Sequence, residues 1–392
     1  MASIYSELPV EVFLKIAFLI QGPSDLKAFL AALCPHVDMG PLKQLYVMCL
    51  AFPHSDFWPS LKLSPLIMEI LSGSPHEIIC QYYSKFILVD SFDVERIKHY
   101  VHPTARLEWN IWDRSVVTTM KDLTDLNITR INVHVDEYAQ ISWMDLLQRL
   151  PNLNALRVEG NDVELRDVFR FTIKSRQIKE LKIYSKDYVM APHDVRCLIL
   201  WFYRQPVQVF EFMWPDFSNV DWNLIEQYYQ AMFNCPTLHT LRLAHFDSNH
   251  MDFTQMSPSI KVFQLVIPHI NSYFLKSLSD KLVGSRVTHL ELVRYKDGDT
   301  EGIESLLRAL PKTSIKCLKL KGLHIVDDAC WCNLAQLFEM CTLEALVIEV
   351  VEFPSGFAQS LAVAVQRNHT ICELDFGRSD IAMHDLWALT YP

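Results

Sequence analysis

Four segments of this chain open with the same apolar spacing and lie 28 residues apart. Val287 opens VTHLEL, Ile315 opens IKCLKL, Leu343 opens LEALVI and Ile371 opens ICELDF. Each carries an apolar residue, two free positions, a second apolar residue, one free position and a third: Val287-Leu290-Leu292, Ile315-Leu318-Leu320, Leu343-Leu346-Ile348 and Ile371-Leu374-Phe376. A fixed period of this length is the signature of stacked repeats, none of which buries its apolar face alone. The template extends upstream through Ile128-Ile131-Val133, Leu153-Leu156-Val158, Ile178-Leu181-Ile183, Val207-Phe210-Phe212, Leu238-Leu241-Leu243 and Ile260-Phe263-Leu265, with a weaker match at Thr104-Leu107-Trp109. Starts from Ile128 onward are spaced 25, 25, 29, 31, 22, 27, 28, 28 and 28.

The second and third apolar positions alternate with period two, which describes a short strand with one buried face. Helical spacing follows, as at Ile303, Leu306, Leu307 and Leu310. Pro151, Pro236 and Pro311 stand where helices must stop and hand the chain to the next strand. The 22-residue unit from Leu238 contains DSNHMDFTQMSPS and is expected to lack a full helix. A doubly wound α/β sheet also alternates strand and helix, but its strands read as continuous apolar runs. The expectation is an α/β solenoid over residues 104–392, with a parallel sheet on the concave side and helices on the convex side.

Composition narrows the function. Of 392 residues, 50% are hydrophobic and 21% charged, enough for a large core and too apolar for wholesale disorder. The net charge of −10 argues against a nucleic-acid partner, which needs a basic surface. The ten cysteines give no metal-binding spacing; the closest pair, Cys330 and Cys332, has no counterpart. Cys34, Cys49, Cys197, Cys235, Cys317, Cys341 and Cys372 sit in apolar segments, as buried free thiols of a reducing compartment would. Lys15 interrupts the N-terminal apolar stretch, so no signal peptide is expected, and no run is long enough for a membrane span. The fifteen histidines are scattered without an HExxH motif, and no glycine-rich phosphate loop occurs. No catalytic constellation, metal or cofactor is expected.

LNALRVEGNDV, from Leu153 to Val163, resembles a complete leucine-rich repeat, with Asn161 where the family's side-chain bonds to turn backbone are made. The 28-residue period resembles the helix-bearing, ribonuclease-inhibitor-like subclass. Elsewhere the asparagine position holds Lys186, Phe246, Tyr295, Leu323, Val351 or Ser379, so most of that ladder is absent.

The N-terminal stretch differs from the array. SELPVEVFLKIAFLIQGPSDLKAFLAAL reads as two amphipathic helices, the first with an apolar face of Val12, Phe13, Ile16, Leu19 and Ile20. Leu8-Pro9, Glu11, Ile16, Leu19, Asp25-Leu26 and Leu30 resemble an F-box, although PLKQLYVMCL lacks the tryptophan usual near the third helix. The resemblance implies that Leu8, Pro9, Ile16, Leu19 and Leu26 contact the linker protein joining F-box proteins to a cullin–RING ubiquitin ligase. A helical cap for the array is the alternative reading. The expected organisation is an F-box-like helical segment at 1–45, a helical connector and N-terminal cap at 46–103, and the leucine-rich-repeat solenoid at 104–392.

Within each strand, the position between the two inward apolar residues points to the concave face. That column and the next outward position supply Arg157, Lys182, Tyr184, Glu211, Met213, Arg242, Gln264, Glu291 and Lys319 as candidate target-binding residues, with an apolar middle at Met213, Val266 and Val293. Together with the F-box resemblance, this implies a substrate-recognition subunit of a cullin–RING ligase, cytoplasmic or nuclear, holding an unknown target protein. A repeat scaffold or inhibitor without a ligase link is the other reading.

Overall fold

In the computed structural model, the described residues are 9–35, 39–112, 123–135, 143–160, 165–186, 188–245, 251, 253–267, 272–294, 300–323, 335–350 and 357–376. Leu8, Asn161, Phe246, Tyr295, Cys330, Cys332, Val351 and Ser379 lie outside them. Thirteen strands are described, and among those of either compact unit spatial order is sequence order. The chain divides into two compact units, Met1–Glu159 and Gly160–Pro392. Both are built as a leucine-rich-repeat solenoid, a parallel ladder of short strands linked by helices or single turns.

In the first unit lie β1 (Leu61–Leu63), β2 (Lys85–Val89), β3 (Arg106–Ile111), β4 (Ile128–Val135) and β5 (Ala155–Gly160). Residues 46–103, expected as a helical connector, therefore contribute two strands as well as short helices. β1 pairs with β2 through Leu61–Phe86 and Leu63–Leu88, all four of which are buried. Before them come α1 (Val10–Ala17), α2 (Pro23–Leu33) and α3 (Pro41–Ala51). The buried face of α1 is Phe13, Leu14 and Ala17, and Ile16 and Leu19 are exposed, as residues expected to meet a linker would be. An aromatic cluster fixes this face. The Phe18 ring lies 5.1 Å from both Trp58 and Tyr83, the Trp58 indole N–H donates to the Ile20 carbonyl (3.0 Å), and the Tyr83 hydroxyl donates to the Phe57 carbonyl (2.7 Å). The aromatic segment FPHSDFWPS is thus the clamp that holds α1.

In the second unit lie β6 (Glu180–Tyr184), β7 (Val209–Met213), β8 (Thr240–Ala244), β9 (Val262–Ile267), β10 (His289–Arg294), β11 (Cys317–Leu323), β12 (Ala345–Val350) and β13 (Glu373–Asp375). The repeat template marks its core. From Ile178-Leu181-Ile183 to Leu343-Leu346-Ile348, every first, second and third apolar position is buried. Ile371, Leu374 and Phe376 are half-buried, because β13 is the last described strand and packs on one side only. Among the described residues, only the 3₁₀ turn Phe253–Gln255 separates β8 from β9, as the short unit implied. Cys49, Cys197, Cys235 and Cys341 are buried and Cys317 is half-buried. Cys34 and Cys372 are exposed, contrary to expectation: the first closes the end of α2 and the second stands at the entrance to β13.

A set of hydroxyl bonds ties successive repeats together at the entrance to the strands. The residue just before the template, Thr237, Ser259 or Thr370, donates its hydroxyl to the first carbonyl of the preceding repeat, at Val207 (2.8 Å), Leu238 (2.7 Å) and Leu343 (2.6 Å). These bonds satisfy turn carbonyls that β-pairing does not reach, and leaving such a group unpaired costs about 1–3 kcal/mol.

Adjacent residues of β11 therefore differ sharply in role. Leu318→Ala is expected to destabilise the protein by about 2–5 kcal/mol, and Lys319→Ala by about 0.5 kcal/mol or less. Urea denaturation of the two variants checks this, and equal losses would contradict the facing of the strand.

Candidate functional site

The open face of the second unit carries a row of side chains in strict register. Lys182 pairs across to Glu211, Glu211 to Arg242, Arg242 to Gln264, Gln264 to Glu291, and Glu291 to Lys319. One residue position serves in every repeat, so the parallel ladder stacks these side chains side by side, with strands about 4.8 Å apart.

Glu211 was expected to meet a target, but it is only 1% exposed. Its neighbours close over it. The Lys182 ammonium donates to Oε1 at 2.7 Å, the Arg242 guanidinium lies 3.3 Å from the same oxygen, and the Tyr184 hydroxyl donates to Oε2. Burial pushes the Glu211 carboxyl up, but the bonds from Lys182 and Tyr184 and the charges of Lys182 and Arg242 outweigh it, holding the group below its ordinary value. Glu211 is thus a buried anchor that fixes Lys182, Tyr184 and Arg242 in place. The Arg242 side chain remains 40% exposed. Two cations share one carboxylate, so the cluster keeps one net positive charge at the surface.

Further along the row, Glu291 pairs with Lys321 (3.5 Å), a partner one position outward from the candidate column. Gln264, Lys319 and Met213 are half-buried. The expected apolar middle is smaller than supposed: Val266 is buried, and only Met213 and Val293 present partial surface. Valine is short, and here it stands in register with Ala244 and Val293, level with the face rather than above it.

Arg157 belongs to the first unit, where it donates to Glu159 at 2.9 Å. That unit has a similar arrangement around a half-buried carboxylate. Glu108 accepts from Lys85 (2.7 Å) and from the Asn132 amide (2.6 Å); burial raises its carboxyl, and these two groups with Arg130 outweigh burial and hold it below the ordinary value. At the N-terminus, Ile16 is 39% and Leu19 76% exposed, and Pro9 is exposed ahead of α1. Leu26 is fully buried, which removes it as a contact for any partner: it faces the interior of the helical layer.

No family model matches the chain, and no curated protein matches it. Among solved structures, an internalin from Listeria monocytogenes is similar over 81% of each chain, at 13% identity and a TM-score of 0.35. Similarity this distant transfers no function, and the leucine-rich-repeat architecture stands on the ladder and its template. Among the described residues, no group of three or more His, Cys, Asp or Glu side chains is placed to hold a metal, and no helix is long and apolar enough to cross a membrane.

Proposed function

We propose that this chain is a protein-recognition module whose second unit holds a target on the open sheet face. Its N-terminal helices would attach it to a cullin–RING ubiquitin ligase through the ligase linker. The observation that carries the recognition half is the Lys182–Glu211–Arg242 cluster. A buried carboxylate holds two cations and a tyrosine rigid at the surface, so ordering them on binding costs little entropy. Arginine and tyrosine are also the side chains in which binding energy concentrates. The ligase half is supported by the exposure of Ile16 and Leu19, large apolar residues on a helix whose other face is already packed. On this reading the module contributes proximity rather than chemistry.

The attachment is tested by titrating purified ligase linker, alone and with its cullin, against the full chain. Ile16→Asp with Leu19→Asp is expected to weaken binding by about two decades or more, because each aspartate would be buried in an apolar interface. Urea stability should be unchanged, since neither residue is core. No binding by the parent chain would remove the ligase half and leave the scaffold reading. For the open face, Met213→Ala with Arg242→Ala and Glu291→Ala is expected to lose target proteins in proximity labelling while linker binding persists. A matched triple on the helical side, Glu304→Ala, Arg308→Ala and Gln336→Ala, should be silent; identical partner sets for the two triples would exclude the sheet face.

A further inference from the structure

A cleft of about 540 Å³ opens in the second unit just beyond the C-terminal ends of β6, β7 and β8. Its walls include Trp214, Phe217, Trp222 and Tyr229, with Lys186 and His245 at the strand ends. The volume is that of an ordinary ligand pocket, and the lining has the usual mixture of aromatic surface with few polar groups.

Two wall residues hold a backbone conformation that their side chains disfavour. Trp214, next after β7, has φ +63°, and His245, next after β8, has φ +59°. Both are fixed there by the ladder: the Trp214 N–H donates to the Ala244 carbonyl (3.2 Å) and the His245 N–H to the Val266 carbonyl (2.8 Å). Glycine or asparagine adopts this left-handed region readily, whereas bulky residues are strained in it. Strain of this kind gathers at ligand-binding positions, where the surroundings impose it. Here it turns two rings toward each other at the cleft wall, with centroids 5.9 Å apart. The same turn in β11 is made by Gly322 at φ +67°, which presents no side chain.

Charge narrows the occupant. Burial lowers the His245 pKa, and the positive potential of Lys186 lowers it further, so Lys186 supplies the positive charge of that wall near pH 7. Among the described residues, the lining holds one carboxylate, Asp216, whose Oδ1 accepts from the Ser218 N–H at 2.8 Å, and one lysine, Lys186, beside His245. The cleft also adjoins the candidate face. Trp214 follows Met213 directly, and Lys186 lies two residues after Tyr184.

We infer that this cleft is an anchor pocket for an acidic–aromatic peptide segment of the target, taking an aromatic ring against Trp214 and Trp222 and the neighbouring carboxylate toward Lys186 and His245. The inference rests on the reading of the second unit as a target-binding surface, and extends it from the sheet face to the ends of its strands.

The test uses the full chain and a short capped peptide, Gly–p-iodophenylalanine–Asp–Gly, whose iodine quenches tryptophan fluorescence on contact. Saturable quenching is expected. It should weaken at least tenfold when the peptide aspartate is replaced by lysine, and at least tenfold in Trp214→Asn. Lys186→Glu should reverse the preference between the aspartate and lysine peptides. Because asparagine relieves the left-handed strain, the thermal midpoints of Trp214→Asn and His245→Asn should hold or rise; if Trp214→Asn unfolds, the Lys186→Glu reversal decides alone. Absence of saturable quenching, quenching unchanged by Trp214→Asn, or an unchanged charge preference in Lys186→Glu would each overturn the pocket. Arg308→Ala, on the helical side, should leave peptide quenching intact. Quenching that survives while the open-face triple keeps its partners would discard the sheet face and retain the cleft, so the two readings fail separately.

Discussion

Phe210→Ala is expected to lose about 3–5 kcal/mol of stability, among the largest effects of any single truncation in the second unit. Phe210 is fully buried on the inward side of β7. Its ring meets Phe202 edge-on at 5.1 Å, with Trp201 at 5.9 Å, Phe212 at 6.1 Å and Tyr228 at 6.5 Å. The Trp201 indole is itself tied to the Ile178 carbonyl (3.1 Å), so the cluster cannot collapse freely into the space a phenyl ring leaves. A cavity lined by rigid rings costs both the lost transfer energy and the lost contacts. Phe210→Leu keeps most of the volume and should cost less than about half as much. Urea denaturation followed by tryptophan fluorescence, with Trp201 as the local reporter, measures both. A loss below about 1 kcal/mol for the alanine variant would mean that β7 does not face the helices as described.

The repeat template was legible because it is written twice, once in spacing and once in alternation. Leu318 and Leu320 face the core while Lys319 does not, and a parallel strand with one buried face admits no other assignment. β1 and β2 were not legible for the same reason. Leu61–Leu63 has only two inward residues, and KFILV reads as an unbroken apolar run although only Phe86 and Leu88 are buried. The packed face of α1 differs from the one the apolar pattern suggests: Phe13, Leu14, Ala17 and the capping Phe18 lie one helical step apart on a single face, and Phe18 packs against Trp58 and Tyr83. In the second unit, the outward column could be named residue by residue from sequence, but the burial of Glu211 could not. The template assigns that position to solvent, yet Lys182, 29 residues earlier, with Tyr184 on the same strand and Arg242 from the next, covers it. The signal was nevertheless present: opposite charges stood at one template position in three successive repeats. The strained turns at Trp214 and His245 carried no such signal, since nothing in a single sequence marks a left-handed tryptophan.

Removing the buried anchor gives the second large effect. Glu211→Ala would leave Lys182 and Arg242 facing each other with no carboxylate between them; both cations reach solvent, so the loss should be about 1–3 kcal/mol rather than that of a fully buried pair. Glu211→Gln keeps the shape and an acceptor for Tyr184 but removes the charge, so it should cost less. Its pH dependence is diagnostic. The folded-state pKa of Glu211 is depressed below the ordinary value of 4.5. A depressed carboxylate stabilises the fold fully above its unfolded-state pKa, and that contribution disappears as pH falls through the folded-state pKa. The stability gap between wild type and Glu211→Gln should therefore be constant from pH 7 down to about 5, then shrink as the wild-type carboxylate protonates. Glu108 titrates in the same direction, but it is present in both proteins and cancels in the difference. Guanidinium or urea unfolding at a series of pH values gives the gap directly. A gap that stays the same from pH 7 to pH 3 would show that the charge of Glu211 does not hold Lys182 and Arg242, and the cluster would lose its claim to be a preorganised binding surface.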